Sequence, residues 1–172
     1  MSKLNLYLVL LGGKHEQANI EVHDLIPVIS TDIASAFPCL KQQWFGSKQH
    51  VHVDAWMRIE GVSYDGIDYR ISFESTDSSA HKLKLFLINL GAYLPHEFGE
   101  IHKYVVVAGK NEQDAKAQGK LAIEQHWFKP HTDAIVDIDD CIALNTLVHH
   151  SLYLVEGEYS SCYFENDYQL IL

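Results

Sequence analysis

The feature that most constrains this chain is that it resembles itself. Moved by 79 residues, Leu4-Asn5-Leu6-Tyr7-Leu8-Val9-Leu10-Leu11-Gly12-Gly13 falls on Leu83-Lys84-Leu85-Phe86-Leu87-Ile88-Asn89-Leu90-Gly91-Ala92. The same shift lays Glu21-Val22-His23 on Glu100-Ile101-His102 without a gap. Eight of the 26 positions from Leu4 to Ile29 are identical, and most exchanges at strand positions are conservative. After a four-residue insertion the shift becomes 83, and Gln42, Trp44, Phe45, Val53 and Asp54 meet Gln125, Trp127, Phe128, Val136 and Asp137. Scattered leucines arise by chance; two Trp-Phe pairs and two Glu-x-His triplets in one order do not. So long a period marks a duplicated subdomain of ~80 residues, not a solenoid.

Each copy reads as ββαββ, which makes the fold class α+β. A strand apolar on both faces opens each copy (Leu4–Leu11, Leu83–Leu90) and belongs in the middle of a sheet. Gly12-Gly13 and Gly91-Ala92 are expected to end it, where a chain reversal or a close backbone approach is easy. Second strands follow near Ile20–Ile29 and Ile101–Ala108. A helix capped by Ser30 or Thr31 then carries Ile33, Phe37, Leu40 and Trp44 on one face, with a kink or restart expected at Pro38. Its counterpart starts near Asn111 and Asp114 and runs to about Trp127. The closing strands are Val51–Val62 and Ile67–Phe73, turned by Asp65-Gly66. In the second copy they lie near Ala134–Leu144 and His149–Glu156. The repeats are thus 1–80 and 81–172, the second including a tail from Tyr159 whose alternating Tyr168, Leu170 and Leu172 suit an added edge strand. Strands apolar on both faces point to one closely packed, pseudo-twofold structure.

Composition narrows the partners. Thirteen Lys+Arg against 23 Asp+Glu give a formal charge of −10, a field that repels polyanions, so nucleic acid is not expected. No apolar stretch approaches the ~18 residues of a membrane span. The run Leu4–Leu11 reads as a strand, not a signal sequence, because its near copy lies mid-chain. Cys39, Cys141 and Cys162 are odd in number and far apart, which suits free thiols in a reducing cytoplasm. Cys39 follows Pro38 without a basic neighbour and is expected to be buried in packing.

Leu11-Gly12-Gly13, then Asn19-Ile20-Glu21-Val22-His23-Asp24, Trp44-Phe45 and His52-Val53-Asp54, resemble the uncharacterised bacterial family known as domain of unknown function 1543. The chain looks like a two-copy member over nearly its whole length. The second copy departs from the pattern, with Ala92 for the second glycine and Lys103 for the aspartate. The resemblance implies the fold unit and a bacterial cytosol, and no mechanism.

Chemistry concentrates on the Glu-x-His segments. Glu21 and His23 lie two apart on a strand and project from one face; His52 and Asp54 repeat that arrangement on another. If the strands adjoin, four N and O ligands meet, a set suited to zinc or another divalent metal. The second copy offers Glu100, His102 and Asp137, with Ile135 in place of the histidine. The competing reading is structural: Leu25, Pro27 and Ile29 continue the same face, and a covered Glu–His pair there would satisfy backbone groups or its own partner. His149-His150 reads as solvated surface, and Trp44-Phe45 and Trp127-Phe128 as anchors of helix to sheet. No Gly-x-Ser-x-Gly elbow or P-loop appears, and Gly12-Gly13 leads into a strand, not the helix a phosphate loop needs. Function stays unassigned among three classes: a small-ligand-binding or interaction module, a metal-dependent hydrolytic enzyme using the Glu-x-His pairs, and a structural self-associating protein. The corresponding partners are a small molecule, a divalent metal ion, or a second copy of the chain.

Overall fold

The computed structural model describes residues 3–74, 82–94, 96–126, 135–145 and 150–171. The fold is α+β. Its elements are β1 (Asn5–Gly13), β2 (Val22–Ser30), α1 (Ile33–Gln43), β3 (His52–Ile59), β4 (Gly61–Tyr64), β5 (Ile67–Ser72), β6 (Lys84–Tyr93), β7 (Glu100–Gly109), α2 (Glu112–His126), β8 (Ile135–Ala143), β9 (Tyr153–Glu156) and β10 (Tyr163–Leu170). They form two compact units, Met1–Gly61 with Ser160–Leu172, and Val62–Tyr159. The repeats at 1–80 and 81–172 describe sequence correspondence; compactness divides the chain elsewhere. The span Val51–Val62 breaks at Glu60, so that β3 lies in the first unit and β4, from Val62 on, and β5 in the second. The tail is an edge strand, and it edges the first unit, where β10 pairs antiparallel with β3.

In the first unit the sheet order is β10-β3-β1-β2. Tyr7, Val9 and Leu11 of β1, Ile26 and Val28 of β2 and Val53 of β3 bury one face against Ala36, Leu40 and Trp44. The helix runs through Pro38 without ending. Its cap is Asp32, not Ser30 or Thr31: Ser30 is still in β2, whereas Asp32 is extended and accepts the Ser35 N–H at 2.8 Å. That bond, with the Ser35 and Thr31 hydroxyls, holds the Asp32 carboxyl below its ordinary pKa. At the other end the Lys48 ammonium donates to the carbonyls of Lys41, Gln42 and Trp44, where the helix presents unpaired acceptors and partial negative charge. Cys39 is exposed, contrary to the sequence reading, because α1 turns Ala36 and Leu40 inward and leaves it on the outer side.

The second unit holds a sheet of order β7-β6-β8, with α2 packed on it, and a sheet of order β4-β5-β9. Phe86, Ile88, Leu90, Val107 and Ala115 form its core. The β4–β5 hairpin turns on Asp65 (φ 51°) and Gly66 (φ 78°), the two left-handed residues that a tight hairpin with native strand twist requires. Helix α2 begins where expected: Asn111 Oδ1 accepts the Asp114 N–H at 3.0 Å, and Asp114 Oδ2 accepts the Lys110 N–H at 2.8 Å. The Lys110 bond leads in holding the Asp114 carboxyl below its ordinary pKa, and the Tyr64 hydroxyl adds to it at 2.9 Å. Trp127, Phe128 and His149 lie outside the described residues.

The two central hairpins share one register. Asn5 faces Ser30 and Gly12 faces His23; 79 residues on, Lys84 faces Gly109 and Gly91 faces His102. The third strands also match, but not at the shift expected. His52 faces Gly12, and Asp137 faces Gly91; these partners are 85 residues apart, not 83. Both pairings break at the same place, between Leu10 and Leu11 in one sheet and between Asn89 and Leu90 in the other. The residue left over in each bulge is an aspartate, Asp54 or Asp139.

Candidate metal centre

β1 ends at Gly13, as expected, and both glycines still lie within the strand, where they serve close approach. At Gly13 a Cβ would stand 3.0 Å from the Trp44 ring. At Gly12, on the face away from α1, it would stand 2.6 Å from His52 Nε2 and closer still to Asp54 Oδ2. The missing side chain is where the polar side chains of the neighbouring strands meet.

They meet because of the bulge. Val53 and Trp56 pack with the helix-side core, so the alternation of a regular strand would leave room for one residue on the other face between them. The extra residue puts both Asp54 and Ala55 there and aims Asp54 over Gly12 beside His52. His52 Nε2 lies 2.9 Å from Glu21 Oε1 and 3.3 Å from Asp54 Oδ1, and His23 Nε2 lies 3.3 Å from Asp54 Oδ2. The four residues picked out by spacing therefore converge. Exposure is graded across them: the side chain of His52 is 7 % exposed, that of Asp54 28 %, and those of His23 and Glu21 about half. Tyr168 of β10 covers the His52 ring at a centroid distance of 4.5 Å.

The hydrogen bond behind His52 decides its chemistry. Nδ1 lies 3.0 Å from the His50 carbonyl oxygen, which can only accept, so Nδ1 carries a proton. A neutral ring then presents a bare Nε2 lone pair to two carboxylates, a repulsive arrangement. A positive charge between them resolves it, either a second ring proton or a bound cation. Asp54 Oδ2 is also shielded from solvent, and among the described residues it accepts no hydrogen bond, with His23 Nε2 as its ion-pair partner. Asp54 bridges the two imidazoles, its Oδ1 facing His52 Nε2 and its Oδ2 facing His23 Nε2, each at 3.3 Å. An imidazole whose other nitrogen donates to a carbonyl is the usual arrangement of a metal-ligating histidine.

In the second unit Glu100, His102 and Asp139 converge, each offering a ligand atom within 4.8 Å of the others. Asp137, chosen from sequence, is corrected to Asp139. The two extra residues before β8 move the match by one full strand period, so the chosen aspartate is of the right type but two positions early on the strand. Asp137 occupies the register of His52 and accepts from the N–H of Ile138 at 2.7 Å. His102 Nδ1 lies 3.3 Å from Asp139 Oδ2, and Nε2 lies 3.9 Å from Glu100 Oε2. Gly91 repeats the role of Gly12, since its Cβ would stand 2.7 Å from Asp139 Oδ2 and closer to Glu100 Oε1. Sequence reasoning missed Asp139, Tyr168 and the two bulges. The doubled acidic positions of Asp137-Ile138-Asp139-Asp140 were the available signal for the first.

Residues 18–72 match the family model of the Domain of Unknown Function (DUF1543), a span that includes Glu21, His23, His52 and Asp54. No curated protein matches the chain. Among solved structures, the chain is similar to the crystal structure of protein Il1583 from Idiomarina loihiensis, with a TM-score of 0.72 and 23 % identity over 99 % of both chains. That likeness is one of fold. Among the described residues no helix is long and apolar enough to cross a membrane. The function of this protein is unknown, and what it does has to be argued from its own geometry.

Proposed function

We propose that this protein is a ligand-binding module whose ligand in the first unit is a divalent cation held by Glu21, His23, His52 and Asp54. The observation that carries the reading is the committed Nδ1 of His52, which leaves the buried Nε2 facing carboxylate oxygens at 2.9 and 3.3 Å. Two imidazoles with two carboxylates favour zinc or a neighbouring transition metal over magnesium. Four protein ligands leave no open coordination position, so the reading is of binding, not metal-assisted hydrolysis.

Zinc titration of tag-free, metal-stripped protein tests it. His52→Ala should weaken zinc binding about 100-fold or more, since loss of even an outer-shell partner costs 10–100-fold. His23→Ala removes a half-exposed ligand and should weaken binding with little change in melting temperature. Zinc affinity unaltered in both variants, or no zinc uptake by the parent protein, would leave the four residues as a closed ion-pair cluster.

We further propose that the two hairpin-plus-helix units descend from one duplicated ancestor. The shared hairpin register, the bulge at one position and the aspartate in each bulge support this. The cytoplasm is the proposed compartment, supported by three free cysteines. Titration of the denatured, unreduced protein should give three thiols; a result of one would mean a disulfide and an oxidising compartment.

A further inference from the structure

We infer that the second unit carries a cation site of its own, Glu100–His102–Asp139, with a preference for hard, oxygen-seeking ions such as Mn²⁺ that separates it from the first. The inference deepens the cation-binding reading but does not need the first site to be occupied.

The argument is one of substitution at matched positions. Opposite Gly12 the first unit places His52, a buried imidazole; opposite Gly91 the second places Asp137. One nitrogen ligand is therefore lost and an oxygen-bearing residue put at its register. In β6, Asn89 stands where β1 has Leu10, and its Nδ2 donates to Asp140 Oδ2 at 3.1 Å. Its Oδ1 lies 3.3 Å from His102 Nδ1, so an amide lies beside the same ring. One histidine thus lies beside Glu100, Asp139 and Asn89, and Asn89 is in turn bonded to Asp140, where the first unit sets two histidines against two carboxylates. Carboxylate and amide oxygens suit Mn²⁺, Mg²⁺ and Ca²⁺, whereas imidazoles favour zinc and its neighbours.

Geometry and exposure agree with the donor set. The ligand atoms all lie within 4.8 Å of one another, a span that six or more oxygens around a larger ion accommodate. The three side chains are 28–38 % exposed, which leaves room for the waters that hard ions retain. Gly91 again leaves the space above the strand empty, where Glu100 and Asp139 point.

Mn²⁺ titration of the whole metal-stripped chain, followed by loss of the free Mn²⁺ EPR signal, tests the assignment. The parent protein should bind Mn²⁺, Asp139→Asn and Glu100→Gln should each weaken it at least about tenfold, and His52→Ala should leave it unchanged. Zinc should show the opposite pattern, weakened by His52→Ala and not by Asp139→Asn. Mn²⁺ affinity equal in parent and Asp139→Asn, or no Mn²⁺ binding by the parent, would overturn the second site. Mn²⁺ binding lost in His52→Ala would place the ion in the first unit and overturn the separation. Failure of zinc binding alone would defeat the first-unit proposal and leave this one standing.

Discussion

Gly12→Ala is expected to weaken zinc binding sharply in the first unit while the protein remains folded. The added methyl would occupy the point at which His52 Nε2, 2.6 Å away, and Asp54 Oδ2 converge. Neither neighbour can yield without consequence. His52 is held from behind by the His50 carbonyl and covered by Tyr168, and Asp54 is fixed by the bulge. One of the two must swing out, and the metal loses a ligand. Overpacking of this kind costs about 1–3 kcal/mol, which circular dichroism during urea unfolding would register as a modest shift. Zinc affinity should fall by more than about tenfold. Gly91→Ala is the matched control, expected to spare zinc and impair Mn²⁺. Parental zinc affinity in Gly12→Ala would show that the cluster does not close over this glycine around an ion.

Trp44→Ala should produce the largest loss of stability, about 3–5 kcal/mol. Trp44 is 1 % exposed and packs at the end of α1 against Gly13, while its neighbour Phe45 is half exposed. Removing the indole opens a cavity that α1 cannot collapse into, because Asp32 and Lys48 hold both of its ends. The loss is large against the 5–15 kcal/mol that a whole domain usually has. Phe45→Ala, by contrast, should change little. The proposed duplication extends the expectation to Trp127, its partner in the repeat. Trp127→Ala should destabilise the protein by a comparable amount, and a change within about 0.5 kcal/mol, the scale of ordinary surface substitutions, would argue against equivalence. Urea unfolding followed by far-UV circular dichroism reads both, since Trp56 complicates fluorescence.

Local structure is legible in the order of amino acids alone. Strand and helix positions followed from apolar periodicity, because burying one face of a strand or helix imposes a period that composition records. The Asp65-Gly66 hairpin followed from the need for two positive φ angles. The first site followed from period two: Glu21 with His23 and His52 with Asp54 had to share faces once their strands paired around β1. The errors have physical reasons of the same kind. A shift of two residues preserves the face of a strand, so an alignment wrong by two chose Asp137 over Asp139 with no contradiction in the pattern. Gly12-Gly13 marked the end of β1 but not its purpose there, because a glycine that permits a turn and one that clears space for neighbouring side chains are the same residue in sequence. Strand pairing was needed to place the bulge, because an unpaired residue is defined by the partner strand. Pairing also sent β10 back to β3 and Tyr168 onto His52, since an edge strand of alternating residues carries no record of which sheet it will join. The His50 carbonyl that fixes the tautomer of His52 is backbone, identical in every residue, and its position is set only by the fold.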